Sequence, residues 1–477
     1  MTIGAIEVAG VDGGGVSLSL EDLRLLGGEP NGRLLRPADP GWDEATLIWN
    51  AMVARQPALV FRPESAADVA AAVRMAADRG ILLSVKGGGH NIAGTSMAPG
   101  GLTLDMSLMR TVEVDPAAGI AHVGAGCLLK HVDAATQEHG LAAVLGFVSE
   151  TGVAGLTLGG GFGYLTRRFG WTVDSLEAIE IVTADGQIRT ASRDEEPELF
   201  WALRGGGGNF GVVTRFTFRL FEVGPTITGG LIAWSAEEAD EVMAMYSEFT
   251  ESASREITTA LIVRMAPPAP FVPPEWHGKP IVAMVVCHSG SDPEGDLRPV
   301  RSLGKPVFDV VAEKPYAAQQ AMLDATQPKG LNYYWKSEFL PAFSPAYRTT
   351  LLENALRLTS PRSQSVAGFH IGGALNERDE HDGAVGNRDA QYIAAIAACW
   401  DPGDERAEEH LAWARRSWEA VRPFSTGGNY VNFQVFDDDT ARTAGAYRAN
   451  YERLQQAKGA YDPHNLFRVN RNVSPQG

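Results

Sequence analysis

The chain has 477 residues, 44% of them hydrophobic and 21% charged, and a formal net charge of −17. That length exceeds one ordinary core and predicts two or three domains. The acidic balance argues against nucleic acid or an anionic membrane as a partner, and no apolar run is long enough to cross a bilayer. The start, MTIGAIEVAGVDGGG, lacks the basic and apolar blocks of a secretory signal, so a cytoplasmic location is expected. Cys127, Cys287 and Cys399 lie far apart among apolar neighbours. They match no zinc or disulfide spacing, predict no metal site, and read as buried thiols.

Residues 1–40 are glycine-rich and mixed, and read as a loosely packed lead-in before order begins near Trp42. Residues 58–61 predict a strand. A helix follows, with Ser65 as N-cap, Asp68 three residues on, and Val69, Ala72, Val73 and Ala76 at helical spacing. The next strand, 81–85, runs straight into SVKGGGHNIAGTS (84–96). Further strands are predicted at 101–106, 111–114 and 120–123, then a helix at 128–139 stopped by Gly140. A second glycine-rich stretch, TGVAGLTLGGGFGYLTRRFG, covers 151–170. The Asp185-Gly186 turn joins strands at 176–183 and 188–191 into a hairpin. A helix at 198–203 leads through RGGGGNFG (204–211) into a strand at 212–220.

Composition shifts near Gly224, and the glycine clusters return only after about residue 424. Between lie a proline-rich loop at 266–274, strands at 282–286, 359–373 and 390–400, and a helix at 405–421. The period of 390–400 is ambiguous. The last 50 residues hold GGNYVNFQVFD, a helix at 442–458, and AYDPHNLFRVNRNVSP. The expected units are a lead-in (1–40), a first domain (41–223), a second domain (224–424) and a C-terminal segment (425–477) in the style of the first.

Glycine lets a backbone take φ > 0 and approach a ligand closely, and successive bare N–H groups make a concavity suited to phosphate. Gly206, Gly208 and Gly211 formally satisfy G-x-G-x-x-G. The nicotinamide fingerprint needs a strand before the motif and a helix after it, and here the order is reversed. The cluster at 159–163 also fails, having only a short apolar run before it and no acidic residue at the expected distance. An extended ligand touched by several loops accounts better for all three clusters, and FAD is such a ligand. His90, directly after Gly87, Gly88 and Gly89, points to a covalent cofactor link or to chemistry.

Six segments, FRPESAADVAAAV, VKGGGHNIAGTS, TGVAGLTLGGGFGYLTRRFG, RGGGGNFGVV, GGNYVNF and YDPHNLFRVNRNVSP, stand in one order from about Trp42 to Pro475. In these the chain resembles the berberine-bridge-enzyme-like FAD-linked oxidases, within the vanillyl-alcohol oxidase / p-cresol methylhydroxylase (PCMH) superfamily. The resemblance implies an α+β, two-domain PCMH-type FAD-binding fold. The first domain and the C-terminal segment would hold FAD, and a substrate domain built on an antiparallel sheet covered by helices would lie between. It implies attachment of the flavin through His90, the alternative being a histidine that only hydrogen-bonds it. Many members add a cysteine link before the second glycine stretch. That position is Val148 here, so a single link is expected.

The resemblance further implies hydride transfer from a substrate C–H to the flavin and return of the electrons to O₂ as hydrogen peroxide. Tyr430 of the Y-x-N motif is the candidate base, against the alternative of an aromatic whose hydroxyl is merely satisfied at the domain seam. A free phenol titrates near ~10, so its phenolate would need support, and Lys336 in YYWKSEF is the candidate cation. His370 is a further candidate facing the substrate, and Glu338 and Gln434 are candidates for the pocket wall. The backbone of Lys86, Gly87, Gly88, Gly89, His90 and Asn91 should cradle the pyrophosphate, with Gly94 and Ser96 beside it. Gly152, Gly155, Gly159, Gly160 and Gly161 should admit the ribityl chain and ring, with Thr151 near the reoxidation side and Tyr164 close by. Val182 should meet the adenine, Asn432 should bond the flavin edge or fix its loop, and Asn470 and Asn472 should close the site. The expected substrate is an alcohol or activated C–H of a small molecule, a secondary metabolite before a carbohydrate. A dehydrogenase that avoids O₂ and a non-catalytic flavin-holding protein are the rival readings.

Overall fold

Ser65 accepts the amide of Asp68, and the Asp68 carboxylate accepts the Ser65 amide in return (3.1 Å), so both ends of the cap are satisfied where the helix Ala66–Arg79 begins. Gly80, at φ 66°, ends it. The helix crosses between Leu59–Phe61 and Leu83–Lys86, which flank Leu102–Asp105 as parallel neighbours. The first glycine loop leaves the carboxyl end of Leu83–Lys86, the end where open parallel sheets bind ligands. A computed structural model describes residues 5–26 and 33–476 of the chain.

A second, five-stranded sheet is antiparallel. Its spatial order is Ile188–Ser192, Leu176–Val182, Val212–Arg219, Ile120–Gly124 and Val112–Asp115. The two sheets share one core, into which Leu59, Val73, Ile179 and Phe216 are fully buried.

The third sheet has eight strands, also antiparallel, and they run between Thr226 and Trp400. The helices Ala239–Ser252, Pro345–Ala355 and Ala407–Val421 pack on one face. The other face meets Ala142, Val144, Tyr164 and Leu165 of the first unit. The strand Tyr392–Trp400 is therefore buried on both faces at all nine positions, which removes the polar alternation and explains its ambiguous period.

Three expectations need correction. Residues 1–40 are not a loose lead-in where described: Ile6–Ala9 pairs with Gly15–Leu18, Gly10 bridges to Ile81, and Leu18 is fully buried. The six-residue helix Leu20–Leu25, capped by Ser19, was too short to show a period. The helix expected at 442–458 is two, Thr440–Tyr447 and Tyr451–Tyr461, broken at Arg448 (φ 50°), whose guanidinium pairs with Asp389. The second glycine stretch opens as the helix Val153–Leu158. The C-terminal segment is tied back to the first unit by Lys458, a fully buried ammonium that donates to the carbonyls of Asn209 and Phe467 and pairs with Asp462.

Candidate active site

A cavity of about 700 Å³ lies between the glycine loops and the inner face of the eight-stranded sheet. Gly88 and Gly152 stand back to back on its wall, and a Cβ on either would collide with the other's backbone amide. Two loops can meet this closely only without side chains, and what they leave is a wall of bare backbone. Gly159 packs in the same way on the Asn432 amide.

His90 faces this space. Its Nε2 is buried without a partner, and its ring lies over Trp49 at 5.1 Å and 18°. Burial, reinforced by Lys329, pulls its pKa down to about 3, so the imidazole is neutral and keeps a free lone pair. Trp49 stacks in turn on Tyr333 (3.6 Å). Asn50 extends the same stitch, since its amide donates to the carbonyls of Ile92 (2.7 Å) and Tyr333 (2.9 Å) and its oxygen accepts the Tyr333 amide. Val148, the position that led to the expectation of a single link, is on the wall. Cys127 is off it; burial lifts its thiol to about 12, and it donates to the Thr111 carbonyl.

Tyr430 enters from the opposite end of the chain. Its ring is held edge-on by Phe162 and Phe433, both at 4.9 Å. Its hydroxyl accepts from Asn432 Nδ2 at 2.9 Å, and the same amide nitrogen approaches the Leu156 carbonyl at 3.2 Å. Burial raises the phenol above its ordinary value; the Asn432 amide and the backbone of Gly161 oppose that rise. The support for a phenolate thus comes from neutral donors.

The wall includes the expected residues Gly87, Gly88, Gly89, His90, Asn91, Ser96, Val148, Thr151, Gly152, Gly155, Gly159, Tyr430, Asn432 and Asn470. Others lie elsewhere. Lys336 alternates with Trp335, and Trp335 takes the cavity face. The Lys336 ammonium points the other way, to Asp438 (2.6 Å) and Asp437 (3.2 Å), so it is not the cation for Tyr430. His370 likewise alternates with Phe369, which faces the cavity, and is itself buried against Tyr392 at 5.2 Å. Lys86 turns its ammonium to the Ala45 carbonyl (2.7 Å). Val182 is off the wall, although Val212, its lateral partner on the next strand, is on it. Gly94, Gly160 and Gly161 pack against Val53, Val385 and Thr172 rather than lining the space. Tyr164 is buried beside Phe147, and Asn472 is bonded to Ser474. Glu338 bonds Trp418, Ser425 and Arg442, and Gln434 bonds Asn429, so both are structural.

Sequence reasoning missed Trp49, Trp335 and Arg471, which are on the wall; it counted the third glycine cluster among the loops an extended ligand would touch without naming its residues as contacts, and Gly207, Gly208 and Gly211 are on the wall too. The cluster has a helix before it, Pro197–Leu203, and a strand after it, Val212–Arg219, the reverse of the nicotinamide fingerprint. Among the described residues, no group of three or more His, Cys, Asp or Glu could hold a metal ion, and no helix is long and apolar enough to cross a membrane.

Two family profiles match the chain: an FAD binding domain over residues 57–192, and berberine and berberine like over 429–474. His90 lies in the first and Tyr430 in the second. The (R)-6-hydroxynicotine oxidase of Paenarthrobacter nicotinovorans is 31% identical over 457 residues, spanning 94% of this chain and 97% of its own. The chain belongs to the berberine-bridge-enzyme-like family of FAD-linked oxidoreductases. An FAD-linked oxidoreductase of Dictyostelium discoideum is 29% identical over 430 residues, 90% of this chain and 91% of its own. The crystal structure of 6-hydroxy-D-nicotine oxidase from Arthrobacter nicotinovorans matches with a TM-score of 0.83 at 29% identity, over 93% of this chain and 98% of its own. Berberine bridge enzyme from Eschscholzia californica shares the fold, with a TM-score of 0.84 at 19% identity over 95% and 99%. This α+β chain is therefore an FAD-binding oxidoreductase of the PCMH type.

The residues present fit FAD on their own evidence. A bare double-glycine wall, a partnerless neutral imidazole and a cavity bounded by three glycine loops suit an extended cofactor with a flat, attachable ring system.

Proposed function

We propose that the protein is an FAD-dependent oxidase of a small molecule, oxidising an alcohol or activated C–H and passing the two electrons to O₂ to give hydrogen peroxide. One observation carries the reading: His90 and Tyr430, 340 positions apart in the chain, stand on the walls of the same cavity. Residues 41–223 with 425–477 are read as the FAD-holding unit, and 224–424 as the substrate unit. When bound, FAD supplies the two-electron acceptor.

The chain's own groups do the rest. His90, neutral and without a competing hydrogen bond on Nε2, is the nucleophile for a single covalent link; Val148 offers no second one. The backbones of Gly88 and Gly152 allow close approach of the cofactor. Tyr430 takes the substrate's hydroxyl proton at its phenolic oxygen, steadied by the Asn432 amide and the backbone of Gly161. Phe162 and Phe433 fix the ring and exclude water from it.

The test is reoxidation of the substrate-reduced enzyme in air-saturated buffer. Rapid return of the oxidised flavin spectrum with one peroxide per flavin supports the oxidase. A slow return without peroxide refutes it in favour of a dehydrogenase.

A further inference from the structure

In a chain of net charge −17, the cavity wall carries Arg264, Lys314 and Arg471 and, among the described residues, no aspartate or glutamate. A low-dielectric space lined by one sign of charge concentrates the other. Arg471 rises from the C-terminal segment beside Asn470, which donates to the Gly208 carbonyl, so it belongs with the groups assigned to FAD. Arg264 and Lys314 come from the eight-stranded sheet, on the substrate side.

Arg264 lies near the end of the strand Ile257–Met265. Its Nε donates to the Met265 carbonyl (3.2 Å), and a terminal nitrogen reaches Gln364 Oε1 only at 3.5 Å. Among the described residues no carboxylate pairs with it, and burial weakens its hold on its proton. A guanidinium nonetheless stays charged. Half-buried on the cavity wall among Ile262, Ala283 and Val366, it is left to pair with an anionic group on whatever ligand displaces water there.

Its register gives the direction of that ligand. Arg264 pairs laterally with Gln364, Gln364 with Ala397, and Ala397 with Trp335. Laterally paired residues share a face, and three strand spacings set the two ends about 14 Å apart at the backbone. Trp335 meets Phe433 at 5.0 Å, and Phe433 meets Tyr430. Lys314 is too far to share the same small anion. It pairs with Ile227, whereas the Arg264 row meets Ser235 through Ile281, eight residues or roughly 27 Å along the strand.

We propose that Arg264 anchors a carboxylate on the substrate, so that the enzyme oxidises organic acids with an apolar, ring-sized body. The carbon oxidised lies at the Tyr430 end, remote from the carboxylate, which excludes simple 2-hydroxy acids. One planar guanidinium matches one carboxylate through two parallel N–H donors, whereas a phosphate dianion calls for more cations than this corner holds. The inference deepens the oxidase reading and rests on it for the word substrate.

The test is calorimetric titration of the FAD-loaded protein with 3-phenylpropionate, 3-phenylpropanamide and 3-phenylpropylamine, which share one body and differ in head-group charge. The acid is expected to bind at least about tenfold tighter than the amide, with the amine weakest. Arg264→Gln should cost the acid roughly thirtyfold and the amide little, Arg264→Lys should keep part of the contrast, and Lys314→Gln should keep all of it. The proposal is overturned if the amide or amine matches the acid in the unaltered protein, if the acid does not bind at millimolar concentration, or if Lys314→Gln alone erases the contrast. Should Arg264→Gln lose its flavin, the unaltered protein and Arg264→Lys still decide the matter. Binding is read without turnover. A flavin that no compound reduces would end the oxidase reading and leave the acid-over-amide contrast standing.

Discussion

Replacing Tyr430 with Phe removes one oxygen and keeps the ring between Phe162 and Phe433. Asn432 Nδ2 loses its 2.9 Å acceptor but still has the Leu156 carbonyl at 3.2 Å. The stability cost should therefore be one net hydrogen bond, about 1 kcal/mol, and the variant should fold and load flavin. The catalytic cost should be far larger. A positioned base contributes about 10²- to 10⁴-fold, or roughly 3–5 kcal/mol of barrier. The assay is anaerobic stopped-flow reduction across substrate concentration and pH. Burial holds the Tyr430 phenol above its ordinary value, so the reactive phenolate is a minor species at neutral pH. The unaltered enzyme should therefore reduce its flavin faster as pH rises, and the Phe variant should be slow and flat. A rate within about threefold of the unaltered enzyme, or a persisting pH slope, would refute Tyr430 as the base.

His90→Ala should release all flavin into the supernatant on acid precipitation, whereas the unaltered protein should stay yellow with a flavin-sized mass on the His90 peptide; free flavin from both would sink the covalent link. Before attachment, His90 has a folded pKa of about 3 against an ordinary 6.5, so the unfolded chain binds the extra proton between those values. Its contribution is complete above pH 6.5 and is lost as pH falls toward 3, on the order of 3–5 kcal/mol; urea midpoints of the apoprotein against pH should show a shallower acid slope in His90→Ala. Lys336→Met leaves the buried Asp438 without its cation and should cost about 3–5 kcal/mol in urea unfolding, with flavin reduction in the folded fraction unchanged. Gly88→Ala drives a Cβ into the Gly152 amide and should abolish flavin loading, read as loss of the visible absorbance of purified protein.

The fold was legible wherever a local signal and a tertiary need agreed. The Ser65–Asp68 cap, the strand that feeds the first glycine loop, and the Y-x-N motif all have such signals. Two of the errors at the site share one cause. Lys336 and His370 were singled out for their polarity, but a strand covered on both faces buries both sets of side chains, and polarity does not say which set meets the ligand. Here the cavity took the neighbours, Trp335 and Phe369, and the lysine and histidine went to the far face. Trp49 has no local pattern to announce it; its importance exists only once residues 90 and 333 are both brought to stack on its ring.

The Trp49–Asn50 pair has a consequence for biogenesis. One dipeptide is bonded at once to the first glycine loop, through the Trp49 amide on the Gly89 carbonyl, and to the strand Asn332–Leu340, through Asn50. The ring that flanks His90 is therefore seated only after distant halves of the chain have come together. A flavin joined to His90 would be a maturation stamp, set on molecules whose assembly is complete and missing from those that stalled.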